Sequence, residues 1–82
     1  MTPEEARGVV LAALRQTAPE VDVGKLDPDA PLRETVELDS LDFENFVVQL
    51  SEGAGRRIEE DDYPRLATMT ECVRFLADGG DR

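Results

Sequence analysis

Residues 39–54 read DSLDFENFVVQLSEGA, and their spacing decides the fold. Phe43, Phe46, Val47, Leu50 and Ala54 recur every three or four positions, which is the repeat of one face of an α-helix. Asp39 stands just before the first turn, where a carboxylate accepts an otherwise orphaned amide, and Asp42 adds negative charge where the helix dipole favours it. Gly53 and Gly55 weaken the far end. Leu41, Glu44, Asn45 and Val48 lie toward the other side of the cylinder, so one face is built for a core and the other is left for solvent or a partner.

Working toward the N-terminus, residues 18–38 contain Pro19, Gly24, Pro28 and Pro31, too many breakers for a regular element. They also contain Val21, Val23, Leu26, Leu32, Val36 and Leu38, so the stretch reads as a long loop pinned by apolar anchors. An interdomain linker would leave those anchors nothing to bury against. Before it, Thr2, Pro3 and Glu5 supply a cap, a first-turn proline and a capping-box partner for a helix over residues 3–17. Ala6, Val10, Ala13, Leu14 and Thr17 form its inner face, Arg7 and Arg15 lie outside, and Pro19 closes it.

On the C-terminal side, Pro64 limits the segment between Ile58 and Leu66 to a short turn of helix. Thr68 and Glu71 form a second capping box, and Met69, Cys72, Val73, Phe75 and Leu76 make the apolar face of a final helix that Gly79 and Gly80 end. No strand-like alternation and no internal repeat appears. The expectation is an all-α fold, a small bundle of three main helices plus one short helix with a long loop between helices one and two, formed by residues 1–78 and followed by a flexible tail over 79–82.

With 82 residues there is room for one domain. The 19 acidic and 9 basic side chains give a net charge of −10, which argues against a nucleic-acid binder and for partners with basic surfaces. The longest apolar run, Val9–Leu14, is far too short to span a bilayer, and the acidic N-terminus lacks the features of a secretory signal, so the expected location is the cytoplasm without a membrane. A single cysteine, Cys72, forms no internal disulfide and no thiolate cluster, and reads as a buried small hydrophobe. The sequence has no histidine, which removes the commonest general base and metal ligand. The expectation is a protein that is not an enzyme and holds no metal.

Ser40 sits one residue past the cap of the second helix, at an end that favours negative charge. Nothing in the chain activates its hydroxyl, so any chemistry there belongs to another enzyme. Leu38-Asp39-Ser40-Leu41-Asp42, opening an amphipathic helix after a long anchored loop, resembles the attachment motif of acyl carrier proteins. The likeness runs on through Phe46, Val47, Leu50, Ile58, the acidic stretch 59–62, Leu66, Thr68 and the segment 73–76, and helix one and its loop match in length and pattern.

The resemblance implies that Ser40 accepts 4′-phosphopantetheine from coenzyme A through a phosphopantetheinyl transferase. The thiol of that arm would hold acyl intermediates as thioesters and shuttle them between enzymes of a fatty-acid, polyketide or specialised pathway. It implies a recognition face of Asp39, Leu41, Asp42, Glu44, Asn45 and Val48, with Glu59, Glu60, Asp61 and Asp62 as a neighbouring acidic patch. The implied partners are an acyl-loading ligase or acyltransferase and a ketosynthase or other pathway enzymes with basic docking surfaces. The chain is expected to be a stand-alone monomer.

Glu37 stands where a glycine commonly precedes the motif, Glu44 where the helix is usually apolar, and Asn45 where it is usually acidic. Gly53, Gly55 and Pro64 are further departures, and together they favour a carrier dedicated to a specialised pathway. Two other readings use the same residues: an aminoacyl or peptidyl carrier loaded by an adenylating enzyme, and an unmodified acidic helical adaptor.

Overall fold

The computed structural model describes residues 1–78. The expected chain end, with the helix stop at Gly79 and Gly80 and the tail over 79–82, lies outside the described residues. Helix α1 spans Pro3–Thr17, a single helical turn α2 spans Leu32–Thr35, α3 spans Ser40–Ala54 and α4 spans Met69–Asp78. Two 3₁₀ segments, Val23–Lys25 and Glu60–Leu66, complete the fold, and no strand is present among the described residues. The all-α bundle expected from periodicity is therefore the one observed.

Each helix start follows from its capping chemistry. The Thr2 hydroxyl accepts the Glu5 amide at 3.1 Å while the Glu5 carboxylate accepts the Thr2 amide at 3.0 Å, the full reciprocal box. At α4 the Thr68 hydroxyl accepts the Glu71 amide at 3.0 Å, but Glu71 Oε1 takes the same hydroxyl's proton at 3.3 Å instead of the Thr68 amide. The box predicted there is thus half formed.

Helix α1 packs against both α3 and α4. Ala6, Val10, Ala13 and Leu14 of α1 are buried with Phe43, Phe46, Val47 and Leu50 of α3 and with Met69, Cys72, Phe75 and Leu76 of α4. Burial of a side chain the size of Leu or Phe contributes about 1.5–3 kcal/mol, so these positions dominate the stability. Thr17 lies at the edge of the α1 face, where its hydroxyl has no hydrogen-bond partner. A Cβ on Gly53 would lie 2.9 Å from Cγ1 of Val9. The glycine that looked like a weak helix end is thus a contact that lets α3 approach α1, and α3 ends at Gly55, which adopts φ 67°.

The long connector is less irregular than its prolines suggest. Leu32, Val36 and Leu38 are buried and Val21, Val23 and Leu26 are partly buried, as anchors should be. The turn α2 and the Val23–Lys25 segment form inside it because Pro31 stands just ahead of α2 and because the Asp22 carboxylate caps the Gly24 amide at 3.1 Å. The connector is also stitched to the start of α4. The Leu32 amide donates to the Ala67 carbonyl at 2.8 Å, and the Thr70 amide donates to the Pro28 carbonyl at 3.0 Å. The Thr70 hydroxyl donates to the Asp29 carboxylate at 2.9 Å.

Candidate functional site

The turn α2 delivers the chain to α3 through a left-handed residue. Val36 donates to the Leu32 carbonyl at 2.9 Å, Glu37 takes φ 57°, and the Leu38 amide reaches back to the Arg33 carbonyl at 2.9 Å. This six-to-one bond closes a Schellman turn, which calls for a left-handed residue and normally uses glycine. With glutamate in that place the turn carries strain of about 1–2 kcal/mol. Leu38, one residue on, is buried and fixes the direction of entry into α3.

Asp39 then caps the helix. Its Oδ1 accepts the Asp42 amide at 2.8 Å and its carbonyl accepts the Phe43 amide at 2.8 Å. Ser40 is the first helical residue and is exposed. The amides of Ser40 and Leu41 take no acceptor among the described residues, so the two donors nearest the serine face solvent. An anionic group bonded to Ser40 would meet those donors and the positive end of the helix dipole, with the Asp39 and Asp42 carboxylates opposing it.

The structure brings part of the anticipated recognition face together. Leu41, Glu44, Asn45 and Val48 occupy one exposed stripe at helical spacing, opposite the buried Phe43, Phe46, Val47 and Leu50. Leu41 is 76% exposed and Val48 48%, so two apolar side chains of that stripe stand in water, Leu41 beside Ser40 in the chain. Asp42 is exposed but falls about a third of a turn away from the centre of that stripe.

The acidic run divides into two pairs. Glu59 accepts Arg57 at 2.7 Å, and the half-buried Asp62 accepts the Glu59 amide at 3.0 Å as a cap for the 3₁₀ segment. Glu60 and Asp61 are exposed and make no ion pair among the described residues.

Two contacts of Phe43, in the first turn of α3, escaped the sequence reading. The guanidinium carbon of Arg33 lies 5.3 Å from the centre of the Phe43 ring, and Tyr63 meets the same ring edge-on at 5.3 Å. These contacts join a turn, a helix and a 3₁₀ segment that are far apart in sequence, and no local pattern announces them. Cys72 is fully buried and its thiol sits 3.6 Å from the Leu66 carbonyl. Burial, aided by the charge of Glu71, pushes its pKa up from near 9 to about 12. It stays a neutral thiol at physiological pH and is no nucleophile.

No helix of the described residues is long and apolar enough to cross a membrane, and no group of three or more potential metal ligands occurs among them. No family model matches the chain. Three similar proteins agree in description. An acyl carrier protein of Rubrobacter xylanophilus is 31% identical over 58 residues, covering 71% of this chain and 72% of that protein. An acyl carrier protein 2 of Ralstonia nicotianae is 30% identical over 53 residues, 65% of each chain. An acyl carrier protein of Lactobacillus johnsonii is 30% identical over 56 residues, 68% of this chain and 70% of its own length.

Proposed function

The chain belongs to the acyl carrier protein family, and on that premise we propose that Ser40 is the attachment point of a 4′-phosphopantetheine arm that carries acyl groups. The observation that supports this most is the exposed Ser40 hydroxyl at the first position of a helix whose nearest two amides lack protein acceptors. That end fits a phosphodiester, with Ser40 as its covalent link and the Ser40 and Leu41 amides as donors. When attached, the arm supplies the thiol on which acyl groups are held as thioesters.

The chain's own residues hold and present. Asp39 fixes the first turn of α3, and Leu38 anchors the approach to it. The sequence offers no histidine to take the Ser40 proton and the buried Cys72 thiol is unsuited to hold cargo, which supports loading of the arm by a separate phosphopantetheinyl transferase and a carrier role for the chain. Leu41, Asp42, Glu44, Asn45 and Val48, with Asp39 and the patch from Glu59 to Asp62, serve as the docking face for basic surfaces on the transferase, on a loading ligase or acyltransferase, and on a ketosynthase or similar pathway enzyme. Attraction of this kind speeds encounter and weakens with salt, which suits a carrier that must also release. The role proposed is that of a cytoplasmic monomer serving a fatty-acid, polyketide or specialised pathway.

The test is the intact mass of the wild type and of Ser40→Ala after incubation with coenzyme A and a broad-specificity phosphopantetheinyl transferase. One phosphopantetheine increment on the wild type alone is expected. No increment, with the transferase active on a control carrier and with transferases of other specificity, would overturn the assignment.

A further inference from the structure

In a sequence with a net charge of −10, four of the nine basic residues, Arg56, Arg57, Arg65 and Arg74, fall between residues 56 and 74. Arg57 is paired with Glu59 at 2.7 Å. The other three come from the exit of α3, the second 3₁₀ segment and α4, and they gather around Phe75. The guanidinium carbons of Arg56 and Arg65 lie 4.4 and 4.9 Å from the centre of that ring, so the two are at most about 9 Å apart. Arg74 precedes Phe75 in the chain, and Arg65, Arg74, Phe75, Pro64 and Glu71 line an open cleft of about 320 Å³.

Among the described residues these cations have no ion-pair partner. Arg65 has Asp62 and Asp61 three and four residues before it, and Arg74 has Glu71 three before and Asp78 four after it, yet neither forms an ion pair among the described residues. Glu71, the carboxylate on the cleft wall, accepts the Thr68 hydroxyl at 3.3 Å instead. Each guanidinium offers five donors, and of all these a single one is used within the described residues, Arg56 Nη1 to the Phe75 carbonyl at 3.5 Å.

A role as cover for an apolar ring accounts for the half-buried Arg56, since Phe75 is only 2% exposed. It does not account for the exposed Arg74, or for the forks of Arg65 and Arg74, which find no acceptor among the described residues around a cleft in a chain rich in carboxylates. Stacking on the ring orients Arg65 as well as Arg56, so the cost of ordering these side chains falls before any ligand arrives.

We propose that the cleft beside Phe75 binds a phosphate-class oxyanion, held by the planar forks of Arg65 and Arg74, with Arg56 over the Phe75 ring adding positive charge from outside the cleft lining. Guanidinium forks match phosphate oxygens two at a time, which a scattered basic surface does not. This site does not involve Ser40, so it stands or falls separately from the carrier assignment.

The test is a titration of amide resonances of the full chain at constant ionic strength, in wild type, Ser40→Ala and the double variant Arg65→Gln/Arg74→Gln. The probes are inorganic phosphate, for the free ion, and adenosine 3′,5′-bisphosphate, for phosphate carried on a nucleotide, with sodium chloride as control. Saturable shifts at residues 65 and 71–75 with at least one phosphate probe are expected, equal in Ser40→Ala, with a midpoint raised about tenfold or more in the double variant. Equal midpoints for the two probes identify the free anion as sufficient, and a lower one for the bisphosphate identifies a nucleotide-borne phosphate. Shifts that chloride reproduces, or that survive unchanged in a double variant with native helical circular dichroism, overturn the proposal. Both arginines are exposed, so the double variant retains the fold.

Discussion

Helix α3 is bracketed by the two left-handed residues of the described chain, Glu37 before it and Gly55 after it, with φ of 57° and 67°. Both close a turn by a six-to-one bond, Leu38 to Arg33 in one case and Arg56 to Ser51 in the other. Gly55 takes the conformation without steric cost, whereas Glu37 brings a Cβ against the following carbonyl. The difference teaches that the end leading toward Ser40 is held by its surroundings against a local preference. The buried Leu32, Val36 and Leu38 on either side of Glu37 supply that hold.

The bluntest way to break the comparison is to loosen the whole fold without touching either turn, and Cys72 offers this. Its folded pKa lies near 12 against an ordinary value near 9, so the thiol binds its proton more tightly when folded. The resulting stabilisation is complete below pH 9 and is lost as pH rises from about 9 toward 12, by up to about 1.4 kcal/mol per unit. Thermal unfolding between pH 9 and 11 should therefore fall more steeply for the wild type than for Cys72→Ala, and parallel curves would refute it.

Exchanging the residues sharpens the contrast. Gly55→Ala is expected to cost about 1 kcal/mol in urea unfolding, because it places a Cβ in the left-handed region. Asp39→Ala, which removes the acceptor for the Asp42 amide, is expected to cost about 1 kcal/mol and to fray α3 from the Ser40 end. The smallest effect has the opposite sign. Glu37→Gly relieves the left-handed strain but adds freedom to the unfolded chain, leaving a net gain of about 0.5 kcal/mol. A loss of stability on that substitution would show that the glutamate side chain makes a compensating contact.

Much of this architecture was legible because it is local. The Thr2 and Glu5 box, the Asp39 cap and the buried faces of α1, α3 and α4 all arise from residues within a turn or two of one another. Exposure of Ser40 and of the Leu41 to Val48 stripe followed from the same helical repeat. What stayed hidden depends on contacts between distant segments. The turn α2 forms where Leu32 meets Ala67, the Gly53 approach needs Val9 of another helix, and the arginines around Phe75 come from three elements. The acidic patch illustrates both cases: its charge is plain in the sequence, but the consumption of Glu59 and Asp62 in a pair and a cap is visible only in three dimensions.

The stitches between residues 28–32 and 67–70 have a further consequence for the order of events during synthesis. The turn that aims the chain at Ser40 rests on hydrogen bonds to Ala67 and Thr70, which are synthesised about 35 to 40 residues after it. Helices α1 and α3 hold enough local information to begin forming as they emerge, but the approach to the serine is closed only once α4 has followed. The entry to α3 is therefore set only on chains that extend past residue 70.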